Sequence, residues 1–269
     1  MKNAAWWQLA WLSPFNAFNE LWTKTLQQPL YDFVNAIYGF FCRLFGTTGE
    51  VSMQSWRILW PALGETLYMS IVSTLIAYII GLALGIVLVV TRKDGIRPMR
   101  VLNAVLGTVI NFMRAIPFLI LLAMLFPVTK EVVGKKTGSV AVTFPLIVSA
   151  FPYVARIVES SFLEVDPGVI EAAQAMGSTT WQIIRKVLVP EGIPSLLNGF
   201  SICMTTILSY TAMASAAAGG GLGSVAITYG LNQNRYDIMY AASIMLVVLV
   251  VIITVLGTFL NRKTNHKLR

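Results

Sequence analysis

Charged residues punctuate this chain at intervals that leave long apolar runs between them. Residues 66–91 contain no Asp, Glu, Lys or Arg, and a helix needs roughly 20 residues to cross a hydrocarbon core, so this run predicts a first span. A second run, about 101–129, is interrupted by Arg114 and Pro117, and a third, about 137–158, is uncharged up to Arg156. Residues 192–234 carry no charge at all. That stretch is too long for one straight span and includes the glycine-rich 219–223 segment, where a helix is expected to end, so it reads as a fourth span followed by an irregular connection. A fifth run, 238–261, precedes Arg262, Lys263, Lys267 and Arg269. The expected class is an all-α integral membrane protein with five transmembrane helices.

Orientation follows from where Lys and Arg collect beside the spans. The cluster Arg92, Lys93, Arg97 and Arg100 follows span one, and the basic tail 263–269 follows span five. With five spans the two lie on one side, which places both, and the C-terminus, in the cytoplasm. Lys130, Lys135 and Lys136 fall on the opposite side in this scheme, one basic segment against two that agree. Residues 1–61 differ from the rest and hold Trp6, Trp7, Trp11, Trp22, Trp56 and Trp60, six of the seven tryptophans. Tryptophan favours the water–lipid boundary, so this region is expected to be an interfacial helical extension. The competing reading is an additional span at 29–46, which would bury Asp32 and Arg43 at some cost. Residues 1–22 lack the charge and small-residue pattern of a cleavable signal.

Composition agrees with a membrane protein: 56% of the residues are hydrophobic and 12% charged, the latter about half of the ~25% usual in soluble domains. The net charge of +8 gathers beside apolar runs instead of forming a stripe, which argues against nucleic acid. Cys42, Cys203 and the single histidine, His266, offer no disulfide framework and no metal site. Gly219–Gly223 lacks the Lys-Ser/Thr of a phosphate-binding loop, so no cofactor is expected on this chain.

Between spans three and four, residues 164–194 are polar and helix-favouring. Asp166 and Pro167 suit a helix start, Gly177 a helix C-terminus, and Ser178 or Thr179 a second N-cap. The second helix is expected to run to about Val189 and to end at Pro190 and Pro194. Four carboxylates, Glu159, Glu164, Asp166 and Glu171, crowd this stretch, and without histidine they read as a solvated or partner-facing group.

Glu171-Ala172-Ala173, three residues, Gly177, nine residues, then Val187, Val189 and Pro190 resemble the EAA loop of ABC importer permeases, with valine in place of the usual isoleucine and leucine. The span-two segment NFMRAIPFLILLAMLFPVT, the span-three segment PLIVSAFPYVARIVESSFLEV and the glycine-rich AAAGGGLGSVAITYG extend the resemblance to the permeases of the methionine importer group. It covers roughly residues 62–262 and leaves 1–61 unmatched. The resemblance implies the type I ABC importer permease fold in a bacterial inner membrane. It also implies a second copy of this chain, a cytosolic ATPase dimer that carries the ATP and Mg, and an extracytoplasmic binding protein, anchored as a lipoprotein, that delivers methionine or another small amino acid. Val169, Ile170, Glu171, Ala172, Ala173 and Met176 would form a helix docked on the ATPase, with Ile170, Ala173 and Met176 or their neighbours in contact, and Gly177 and Pro190 would set the return to the membrane.

Within span four, Ser209, Tyr210 and Met213 are the expected path or gate residues, with hydroxyls bonding their own helix as the plainer alternative. Arg114, the one deep charge, is expected to bond carbonyls freed by Pro117 or to snorkel. A self-sufficient secondary transporter or channel would show inverted repeats and paired broken helices, and no such repeat is evident.

Overall fold

The computed structural model describes residues 27–44, 53–217 and 219–264. The described residues form helices and no strands. In chain order these are α1 (Gln27–Leu44), α2 (Met53–Thr91), α3 (Arg100–Ala115), α4 (Phe118–Val133), α5 (Ser139–Leu163), α6 (Pro167–Ala175), α7 (Thr180–Met213), α8 (Gly221–Leu231) and α9 (Tyr236–Thr264). Four of them, α2, α5, α7 and α9, are long and apolar enough to cross a membrane, and the count is five if α3 and α4 are one broken span. The break comes where Pro117 forces Ile116 out of the helical region, to φ −77°, ψ 121°, as expected for a residue preceding proline.

Two elements depart from the expected boundaries. Helix α2 begins at Met53, so Trp56 and Trp60 sit in the first spanning helix and are buried. Tyr31 of α1 packs edge-on against Trp56, with ring centroids 5.1 Å apart. Tryptophans 6, 7, 11 and 22 and the tail beyond Thr264 lie outside the described residues. Helix α7 does not end at Pro190 or Pro194. It runs on from Thr180 to Met213 through a π-helical turn at Ile184–Leu188. There the Val189 N–H reaches back to the Ile184 carbonyl, and this wider turn lies just before Pro190, which has no N–H to supply to a ladder.

The described residues fall into two compact units. One comprises the described residues up to Ser73 together with those of Phe118–Leu146 and Thr206–Ile252, and the other Thr74–Pro117, Ile147–Thr205 and the described residues from Ile253 onward. The first has a core of Leu59, Leu63, Met69, Leu146, Ile207 and Met245. The second is centred on Leu88, Ile110 and Ala155, flanked by Leu84 and Leu106. In this second unit the carbonyls at the end of α2 find partners in the following loop: Arg97 N–H donates to Val90 and Met99 N–H to Thr91, each at 3.0 Å. Asn103 adds a side-chain donor to Leu88 O at 2.7 Å, so the helix end is satisfied without water.

Candidate functional site

The polar loop is built by strong local signals. The Asp166 carboxylate accepts the Gly168 N–H at 2.8 Å, and Pro167 opens α6, where its missing N–H costs nothing. At the other end the Gly177 N–H donates to Gln174 O at 2.9 Å and the Ser178 N–H to Ala173 O at 3.1 Å. This pair of bonds is a Schellman motif. It requires a left-handed residue, and Gly177 has φ +76°. Thr179, not Ser178, caps the next helix. Its backbone N–H donates to Gln182 Oε1 at 2.8 Å while its hydroxyl accepts from the Gln182 N–H at 3.4 Å, a reciprocal capping box.

The faces of α6 follow from this geometry. Ala173 is buried and Ile170 half-buried, and α6 packs against the π-turn of α7. Val169, Ala172 and Met176, spaced i, i+3 and i+7, are exposed, Met176 by 79%. Of Ile170, Ala173 and Met176, only Met176 is exposed, and the exposed neighbours are Val169 and Ala172. Glu171 and Pro190 are exposed. Trp181, 67% exposed just beyond the turn, was missed by motif reading because it stands at one of the unspecified positions of the motif. An uncovered tryptophan on an otherwise polar loop was the available signal.

Of the four neighbouring carboxylates, Asp166 caps α6 and Glu159 is engaged in an ion pair. Glu159 pairs with Arg156 at 2.6 Å, and Arg156 also donates to Gly107 O at 3.0 Å, which ties α5 to α3. Arg114 lies 5.8 Å from the centre of the Tyr153 ring, a cation–π contact in place of the expected carbonyl bonds. Among the described residues no group of three or more His, Cys, Asp or Glu could hold a metal.

In the other unit, Ser209 and Met213 line a cavity of about 740 Å³ with Leu119, Ser215, Ile227 and Val247. Tyr210 is not among its lining residues; its ring stacks on Phe118 with centroids 4.8 Å apart. The walls are apolar, with hydroxyls at Ser209 and Ser215 and no charged side chain. Such a lining accommodates an apolar side chain and orients it weakly.

A polytopic helical protein with a capped, outward-facing loop helix and an apolar cavity has the parts of a membrane permease. The chain belongs to the family of binding-protein-dependent transport system inner membrane components, whose model matches residues 81–269. It is 45% identical over 223 residues to the probable D-methionine transport system permease protein MetI of Vibrio cholerae, covering 83% of this chain and 99% of the relative. It is 40% identical over 203 residues to the methionine import system permease protein MetP of Bacillus subtilis, covering 76% and 91%. A solved structure of the MetNI methionine ABC transporter in inward-facing conformations superposes with TM-score 0.77 at 38% identity, covering 81% of this chain and all of that chain. The five-span plan thus has its counterpart in an ABC importer permease.

Proposed function

We propose that this chain is the membrane subunit of an ATP-driven importer of methionine, working as a homodimer with two copies of a cytosolic ATPase and an extracytoplasmic binding protein. The observation that carries the coupling role is the fixed outward face of α6. A permease without nucleotide chemistry needs a rigid element to receive the motion of its ATPase, and a short helix docked in a groove supplies one. Val169, Ala172 and Met176 offer the apolar contact, Trp181 extends it, and Glu171 can meet a basic partner residue. The Asp166 cap, the Gly177 turn and the Thr179 capping box hold this face in one orientation, and the same α7 that leaves the turn continues to Ser209 and Met213.

The 740 Å³ cavity accepts the thioether side chain of methionine, with Ser209 and Met213 on its wall and Tyr210 stacked on Phe118. Cargo identity is supported by the likeness to methionine permeases along nearly their whole length; another small amino acid or a methionine derivative is the alternative. Nucleotide and Mg belong to the ATPase, and the C-terminus and α6 lie in the cytoplasm.

The test is co-purification of the ATPase with Val169→Asp and Trp181→Ala variants in detergent or nanodiscs. A charge in the docked face is expected to reduce ATPase recovery at least tenfold, and loss of the tryptophan to weaken it by about 2 kcal/mol, with the permease itself still inserted and monodisperse. Undiminished recovery in both variants would refute docking through this face.

A further inference from the structure

Helix α8 is too short to cross a membrane, and it follows the glycine run that motif reading left without a role. Its N-terminus is capped not by a neighbouring residue but by α2. The Gly221 N–H donates to Glu65 Oε2 at 2.7 Å, and the Leu222 N–H donates to Thr66 Oγ1 at 2.8 Å. Thr66 is at the same time a donor to Ala62 O at 2.9 Å, which fixes its hydroxyl as the acceptor of the Leu222 bond. Two of the N–H groups that a helix start leaves unpaired are therefore satisfied across 156 residues of sequence. A carboxylate placed there also meets the positive end of the helix dipole.

The glycines make the contact possible. Gly220 and Gly221 have φ +76° and +75°, and a Cβ at Gly221 would lie 2.7 Å from Thr66 Oγ1 and one at Gly220 would strike Glu65 Oε2. A side chain at either position would displace the capping atoms.

Four residues beyond the end of α8, the turn into α9 is pinned to the same helix. Arg235 Nη2 donates to Ser55 Oγ at 2.7 Å, Ser55 Oγ donates to Asp237 Oδ2 at 3.0 Å, and Arg235 and Asp237 pair at 3.3 Å. Ser55 to Glu65 is ten residues of α2, about 15 Å at the helical rise. Because Gly221 meets Glu65 and Arg235 meets Ser55, the chain from Gly221 to Arg235 runs antiparallel to this part of α2. Ile227 of α8 and Ser215, which precedes the glycine run, are both on the cavity wall.

We propose that the α2 segment from Ser55 to Thr66 is a splint that holds α8 in place as a wall of the cavity, with Glu65 and Thr66 as positioning residues for transport. The proposal rests on the reading of that cavity as the methionine path. The splint fixes the start of α8 and, four residues beyond its end, the entry to α9, so releasing the cap at Gly221 and Leu222 lets the wall move without unfolding the spans that carry it.

Hydrogen exchange of the peptide 219–231, measured by mass spectrometry on the assembled transporter in nanodiscs, reads the cap directly. In Glu65→Ala exchange is expected to be about tenfold faster, with peptides of α5 unchanged. Glu65→Gln keeps an acceptor oxygen and is expected to retain most of the protection, and Thr66→Ser is expected to behave as wild type where Thr66→Val does not. The variants that lose protection are also expected to lower methionine uptake at constant complex yield. Wild-type exchange in Glu65→Ala, equal acceleration in Gln and Ala, or accelerated exchange with unchanged uptake would each overturn the proposal. Should Glu65→Ala fail to assemble, the Thr66→Ser and Thr66→Val pair gives the same decision. Ser209→Trp separates the two readings: normal uptake in that obstructed variant would refute the path assignment while leaving the exchange result on the splint as measured.

Discussion

Gly177 and Ala173 sit four residues apart on the coupling loop and are constrained in different ways. A Cβ at Gly177 meets nothing within 4 Å, so any substitution there is penalised by the left-handed backbone alone, about 1–2 kcal/mol. Ala173 has ordinary backbone and is buried where α6 packs on the π-turn. Gly177→Val is therefore expected to turn α6 away and lower ATP-coupled uptake in vesicles while membrane insertion and thermal stability change little. Ala173→Leu is expected to overpack the contact with the π-turn and destabilise the purified permease by about 1–3 kcal/mol, seen as a lower unfolding midpoint. Unchanged coupling in the first, or unchanged stability in the second, would contradict the geometry described. The sequence motif singled out both residues, yet it did not say that Ala172 faces out and Ala173 in. That distinction depends on what α6 packs against, which spacing within a nine-residue helix does not reveal.

At the level of elements, the spans were readable because charge is expensive in hydrocarbon and its absence leaves a long signature. The break at Ile116–Pro117 was readable for a local steric reason. The continuation of α7 through Pro190 and Pro194 was not, because proline was weighed as a terminator without the π-turn that precedes it. The start of α2 at Met53 was missed for a related reason: Arg57 and Glu65 ended the charge-free run, although the Glu65 carboxylate is bonded to the Gly221 amide and does not lie free in the hydrocarbon. Such a long-range partner leaves no trace in a local pattern. The capping box can be tested in place. Thr179→Ala removes both the hydroxyl acceptor and its constraint on Gln182, a loss of about 1 kcal/mol, and hydrogen exchange at the start of α7 is expected to rise with α9 unaffected. Equal protection in wild type and variant would show that the cap does not hold this end.

For the whole molecule, the family membership makes this chain the permease subunit of an ABC importer, with ATP hydrolysis on a separate subunit, and the docking helix and the delivery of cargo by a binding protein are what we propose beyond it. The family model begins at residue 81, and 83% of this chain matches 99% of the Vibrio relative, so this chain carries length with no counterpart in that relative. Helix α1 falls on the segment for which an interfacial helix and an additional span are the two competing readings, and Tyr31 packs it against Trp56 at the start of α2. The most direct test of the central claim is uptake of radiolabelled methionine into proteoliposomes that contain this chain, its ATPase and its binding protein, with ATP supplied to the ATPase face. The account predicts accumulation that requires ATP and the binding protein and is lost when the α6 face is charged by Val169→Asp. Methionine accumulation of equal size without ATP, or brisk ATP hydrolysis with no methionine accumulated, would contradict it.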